Sequence, residues 1–386
     1  MLSLIIGLGF LIIYWIIEYH KHQFNRKQIP NVIHVNGTRG KTSVTRLIAA
    51  GLRAGNKKTI AKTTGSAASL IYENGKERPI IRYFTPNIKE QIKIIKFAAE
   101  RKVDYLVLEC MAITPEYQWV TEHEMVKSNI GVITNSRLEH LDLMGPGIRN
   151  VTLSLCNTLP RDGKAFTAEK KMYPLIDKVA QKRGINLEYA DAHNVHDEEM
   201  RGFNYIAHKE NVALALKVCE ECGVNRETAL KGMYEAKSDV GAARVMHTEI
   251  NDTNLFFAHS FAANDPHSTE VLIKHVKNLY SQIDKAVIVL STRADRIFRS
   301  KQLIEMLNDV NFYRLYLIGE ETDTIYKYAL NKKHPKEKLH NIGWVQPEKL
   351  LDEITKIDSN RILILGIGNI HGNGEIILNY FENEED

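Results

Sequence analysis

Gly37, Gly40, Lys41, Thr42 and Ser43 fall within the stretch "VIHVNGTRGKTSVTRLIAAGLRAG", from Val32 to Gly55, in an order suited to holding phosphate. Glycines let the backbone approach phosphate oxygens, a lysine neutralises their charge, and a threonine hydroxyl is a hard ligand for Mg²⁺. The common spacing also places a glycine five positions before Gly40, where this chain has Val35. A Gly-Lys-Thr tripeptide arises often by chance, so the flanking sequence decides. "NVIHV" reads as a strand, "NGTRGKT" as a turn of small residues, and "SVTRLIAAGLRAG" as a helix ending at Gly55. This order presents unpaired N–H groups and the positive end of a helix dipole to an anion. Lys41 is then expected at the β- and γ-phosphates of a nucleotide, and Thr42 at its Mg²⁺.

Further along, Glu109 ends the apolar run "VLEC". A carboxylate at the carboxyl end of a buried strand faces the crevice where open α/β sheets bind ligands, and it can hold Mg²⁺ there. Taken alone, it equally suits a salt bridge. His140 lies in "VITNSRLEHLDLMG" with Asn135 and Asp142. A lone histidine is more often structural than a ligand.

Positioning such residues requires a sheet. "NVIHV", "VDYLVLEC", "NIGVITN", "KAVIVLS", "FYRLYLIG" and "RILILG" read as buried strands, separated by amphipathic stretches such as "PNIKEQIKIIKFAAERK", with Pro86 near a helix start. The alternation implies an α/β fold with a doubly wound, mainly parallel sheet. The 386 residues, 44% hydrophobic and 25% charged, have the composition of a globular chain of two domains. We place a phosphate-loop domain at 31–243 and a smaller Rossmann-like domain at 244–386, its strands beginning near "LFFAH". A net charge of +4, with much of the excess near the amino terminus, argues against nucleic acid as a partner. Cys110, Cys156, Cys219 and Cys222 are too few and too uneven for a disulfide framework, which suggests a reducing compartment. The C-x-x-C of Cys219 and Cys222 sits in an apolar helical repeat with no second pair, and reads as ordinary helix.

From Met1 to Ile17 the chain is apolar and uncharged, about 26 Å long as a helix and near the short limit for crossing a bilayer. Without a basic leader or a small-residue cleavage site, it reads as an uncleaved membrane anchor over 1–19, followed by a basic linker at 20–30. The lysines and arginine behind it would keep the catalytic part in the cytoplasm, at the cell membrane.

Taken together, these motifs resemble those of the Mur ligase superfamily, which includes peptidoglycan-precursor ligases and folylpolyglutamate synthases. The residues Gly37, Thr38, Arg39, Gly40, Lys41, Thr42 and Ser43 match its "GTxGKTS" loop, with Arg39 in place of the usual asparagine or aspartate. "TNSRLEHLDLMG" matches "TNxxxDHLDxxG", with Glu139 for aspartate. The resemblance implies ATP and Mg²⁺ as cofactors, with Thr42, Glu109 and His140 as metal ligands and Lys41, Glu109 and His140 as the catalytic set. It also gives Asn135 and Asp142 a part in shaping the loop around His140. Looser matches imply that His208 and Asn211 lie near the adenine, that Arg244 contacts phosphate, and that Asp265 contacts the ribose or a loop. Arg293 and His371 become candidates to reach an amino-acid substrate. Only the apolar helix precedes the phosphate loop, whereas peptidoglycan ligases carry a nucleotide-sugar domain there. Within the superfamily the combination is similar to the ligase subunits of bacterial poly-γ-glutamate synthases. That implies amide formation between glutamate and a growing poly-γ-glutamate chain through an acyl phosphate, with small integral membrane subunits as partners. A membrane-tethered nucleotide switch or transport ATPase is the alternative that the phosphate loop also fits.

Overall fold

The computed structural model describes residues 2–64, 68–82, 87–203, 205, 207–237, 245–259, 266–283 and 285–384. Met1–Phe203 with Ala207–Asp239 form one unit, and Asn204–Ile206 with Val240–Asp386 the other.

In the first unit the strands are β1 (Asn31–Asn36), β2 (Thr59–Lys62), β3 (Ser69–Ile71), β4 (Glu77–Pro79), β5 (Tyr105–Glu109), β6 (Ile130–Ile133), β7 (Lys164–Thr167) and β8 (Asn186–Tyr189). They lie in the order β4-β3-β2-β5-β1-β6-β7-β8. From β2 to β8 every neighbouring pair is parallel, and the β3 and β4 edge is antiparallel. β1 pairs with β5 on one side and β6 on the other, because the chain first builds outward through β2 and then returns. Such a reversal leaves a crevice at the carboxyl ends of the strands. The ends of β1, β5 and β6 carry the phosphate loop, Glu109 and the "TN" pair respectively.

The second unit holds β9 (Val245–Ile250), β10 (Thr253–His259), β11 (Lys285–Thr292), β12 (Arg314–Gly319), β13 (Leu339–Gly343) and β14 (Arg361–Gly368), in the order β13-β12-β11-β14-β10-β9. All its pairs are parallel except β9 with β10. Side chains of a strand alternate between faces. Accordingly, Ile288, Leu290, Leu363 and Leu365 enter one apolar core, while Val287, Val289, Ile362 and Ile364 enter another. Both faces of the sheet are therefore covered.

The amino-terminal expectation requires correction. Helix α1 (Leu2–Lys27) is continuous, and residues 20–27, expected from the sequence to be linker, are its last turns. Those turns dock on the first unit: Arg26 Nε donates to Val126 O at 2.8 Å, Arg26 Nη2 to Lys127 O at 2.7 Å, and His22 Nε2 bonds Met125 O at 2.8 Å. Among the described residues no helix is long and apolar enough to cross a membrane. The transmembrane anchor, and the cell-membrane location inferred from it, are not supported.

Candidate nucleotide and metal site

Two backbone conformations shape the loop after β1. Gly37 has φ +138° and Gly40 φ +80°, a region that favours glycine. A Cβ on Gly37 would lie 2.0 Å from Thr134 Oγ1, and one on Gly40 2.7 Å from Asn211 Oδ1. Val35, standing where the longer motif has glycine, is still within β1, fully buried and paired with Glu109 and Val132. The turn starts only after Asn36, so no glycine is required there.

The end of β6 clamps this loop. Thr38 Oγ1 and Arg39 N donate to Asn135 Oδ1 at 2.8 and 3.0 Å, while Asn135 Nδ2 and Thr134 Oγ1 donate to Arg39 O at 3.1 and 2.6 Å. Asn36 adds a further tie, accepting from Gly37 N at 2.8 Å through Oδ1 and donating to Gln118 and Thr158. The sequence motif points to Thr134 and Asn135 but not to Asn36, which is visible there only as a polar residue at a strand end.

Helix α2 (Lys41–Ala54) follows Gly40, which supplies no side-chain cap. Its first N–H groups have no helical acceptor by geometry, so the end is open to an anion. Lys41 Nζ folds back over the loop, donating to Gly37 O at 2.7 Å and Thr38 O at 3.3 Å. Ser43, in the same turn, is half-buried.

Thr42 and Glu109 meet. Thr42 Oγ1 donates to both Glu109 carboxylate oxygens, at 3.1 and 3.2 Å, and Thr64 N donates to Oε2 at 2.7 Å. Glu109 is 1% exposed and, among the described residues, has no ion-pair partner. A buried carboxylate in that state favours a cation, and the two oxygen donors suit a hard divalent ion that completes its shell with phosphate and water. Among the described residues no group of three acidic, histidine or cysteine side chains could hold a metal.

The remaining expected residues are dispersed. His140 sits at φ +50° with its ring 3.9 Å from Glu139 Oε1, the oxygen that also pairs with Arg39 at 3.4 Å. Among the described residues no contact joins it to Thr42 or Glu109. Asn211 packs on Gly40, whereas His208 is exposed at the start of the helix Lys209–Glu221. In the second unit Arg293 pairs with Asp295 at 3.0 Å and His371 with Glu375 at 3.6 Å. Arg244 and Asp265 lie outside the described residues, as does Pro86.

Residues 35–244 match the Mur ligase middle domain, and residues 245–384 match the poly-gamma-glutamate synthase CapB C-terminal domain. The "PGA synthase CapB" of Bacillus subtilis (strain 168) is 35% identical over 97% of this chain and 96% of its own. The chain belongs to the CapB family. Its fold is also that of E. coli FolC in complex with ADP, with TM-score 0.67 and 16% identity over 95% of this chain and 93% of that one. A folylpolyglutamate synthase/dihydrofolate synthase from Yersinia pestis, complexed with AMPPNP and Mn ion, matches with TM-score 0.63 and 15% identity over 94% and 92% of the two chains.

Beneath the loop of this CapB-family chain lies a buried charge pair. His34 Nδ1 on β1 is 2.7 Å from Glu122 Oε2, and both side chains are almost wholly buried. Glu122 Oε1 also accepts from Ser128 N and Oγ, each at 2.8 Å. Burial alone would discharge the imidazole, but hydrogen bonds and charge from Cys110 and Glu122 together outweigh it and push its pKa up to about 10. The His34 charge therefore stabilises the fold fully below its ordinary value of 6.5, and this stabilisation is lost as pH rises through about 10. The urea midpoint is expected to fall between those two pH values. In the variant His34→Gln/Glu122→Gln this slope should flatten; an unchanged slope would place its origin elsewhere.

Proposed function

We propose that the chain is an ATP-dependent amide ligase that extends poly-γ-glutamate by glutamate through an acyl phosphate, releasing ADP and phosphate. The contact of Thr42 with Glu109 at the open end of α2 carries this reading, together with the CapB-family match along nearly the whole chain. Gly37, Thr38, Arg39, Gly40 and Ser43 would bind the phosphates. Asn211 and His208 would lie toward the adenine, with Arg244 at phosphate and Asp265 at ribose. Thr42 and Glu109 would hold Mg²⁺, and His140 is proposed as a further ligand. Mg²⁺·ATP supplies the phosphoryl group and neutralises charge on it.

A carboxylate is a poor electrophile, so the chain's terminal γ-carboxylate is first phosphorylated: its oxygen bonds to the γ-phosphorus as the bond to the ADP oxygen breaks. The amine of glutamate then attacks the acyl carbon, loses a proton, and phosphate leaves with the former carboxylate oxygen. Lys41 swings from the loop carbonyls to the oxygens of the moving phosphoryl group. The protein needs no covalent nucleophile, only preorganised positive charge. We assign small subunits of the same synthase as partners, a reading supported by the exposed apolar side chains of α1, including Phe10 and Trp15. A switch or transport ATPase is not favoured, since the family match is to a synthase.

ADP release by the full chain with Mg²⁺ and ATP should depend on glutamate, and mass analysis should show amide-linked glutamate chains. ADP release indifferent to glutamate, with no polymer even when the other synthase subunits are present, would overturn the ligase reading.

A further inference from the structure

Glu109 is held by two segments far apart in sequence. Thr64 N donates to its Oε2 at 2.7 Å, and Gln91 Nε2 donates to its backbone oxygen at 3.1 Å. An ion pair between a buried lysine and a half-buried glutamate joins these segments. Lys62 ends β2 two residues before Thr64 and is fully buried. Glu90 opens helix α3 (Glu90–Glu100) immediately before Gln91. Lys62 Nζ lies 3.2 Å from Glu90 Oε2, and Arg82 closes on the same carboxylate with Nε at 2.8 Å and Nη2 at 3.1 Å. β2 pairs with β5 as far as Lys62 opposite Leu108, the residue before Glu109.

Burying an ammonium costs several kcal/mol after relaxation, and an apolar side chain would fill the same space without that cost. Held here, the charge fixes the start of α3 against the end of β2. We propose that Lys62 is a positioning residue for the metal site: its ion pair with Glu90 locks the Thr64 amide and the Gln91 side chain in place, aiming the Glu109 carboxylate at Thr42 Oγ1. The proposal rests on the reading of Thr42 and Glu109 as the metal-holding pair.

Lys62→Met keeps an unbranched side chain one atom shorter and leaves Glu90 paired with Arg82, so no buried charge is stranded. The melting temperature should be unchanged or higher. With the lock gone, full-length protein saturated with ADP should bind Mn²⁺ about tenfold more weakly, read from the electron paramagnetic resonance signal of free Mn²⁺. ADP binding without metal should not change, whereas a merely structural role would move melting and leave the Mn²⁺ titration alone. Glu90→Gln should weaken Mn²⁺ in the same direction, and the double variant should lose less than the sum of the two, as coupled residues do. Glu109→Gln, in the same assay, should remove Mn²⁺ binding. If Lys62→Met and Glu90→Gln bind Mn²⁺ like the wild type while Glu109→Gln does not, the positioning role is overturned and the metal reading stands. If Glu109→Gln itself binds Mn²⁺ normally, the metal reading falls and the proposal falls with it.

Discussion

Lys41→Met lowers glutamate-dependent ADP release by about 10³-fold at saturating ATP, with melting unchanged. The effect follows from where the ammonium rests. Its hydrogen bonds are to Gly37 O and Thr38 O, two carbonyls of the loop that would hold the phosphates. No carboxylate pair depends on it among the described residues, and the loop is separately clamped by Asn135. Removing the charge therefore leaves the loop formed but without the ammonium that would meet the phosphoryl oxygens. Because that charge matters most as the phosphoryl group moves, kcat should drop far more than ATP affinity. Stopped-flow measurement of the first turnover, beside equilibrium binding of ADP, separates the two. A variant within a factor of a few of wild type in kcat would remove Lys41 from the catalytic set.

Glu109→Gln should be comparably severe, about 10³-fold in turnover, through a different cause. The amide oxygen can still accept from Thr42 Oγ1 and Thr64 N, so the local hydrogen bonding survives in part. What disappears is the negative charge. Neutralising a carboxylate that is 1% exposed and without an ion-pair partner among the described residues also removes a desolvation cost, so the variant should melt at the same or a higher temperature. Stability rising while activity falls marks a residue placed for chemistry. If raising Mg²⁺ restored full turnover, Glu109 would be an aid to metal affinity and nothing more. A lower melting temperature, with activity kept, would make it structural.

Much of the fold is legible in the amino-acid sequence alone. The runs from "NVIHV" to "RILILG" form the strands β1, β5, β6, β11, β12 and β14, because runs made mostly of β-branched and apolar residues suit strands buried on both faces. The short strands β3, β4 and β8 are not legible in this way, since three or four residues with mixed polarity carry no readable period. The apolar amino terminus misleads for a related reason. The run is apolar and near the short limit for crossing, yet among the described residues no helix is long and apolar enough to cross a membrane, and the polar last turns of α1 are committed to Met125, Val126 and Lys127.

By itself the sequence determined the loop chemistry. Glycine at 37 and 40, lysine at 41 and threonine at 42 follow a strand and open a helix, and local sterics and hydrogen-bonding rules are enough to give that loop a shape suited to phosphate. It also determined that Glu109 ends a buried strand. Only the tertiary structure decided that this strand lies beside β1, so that Thr42 and Glu109, 67 positions apart, share a hydrogen bond. It decided too that Asn135 grips Arg39, that Glu139 pairs with Arg39, and that Lys62 and Glu90 meet beside the site. Neighbours along the chain are set by local rules, whereas contacts across a sheet depend on the order in which its strands are laid down.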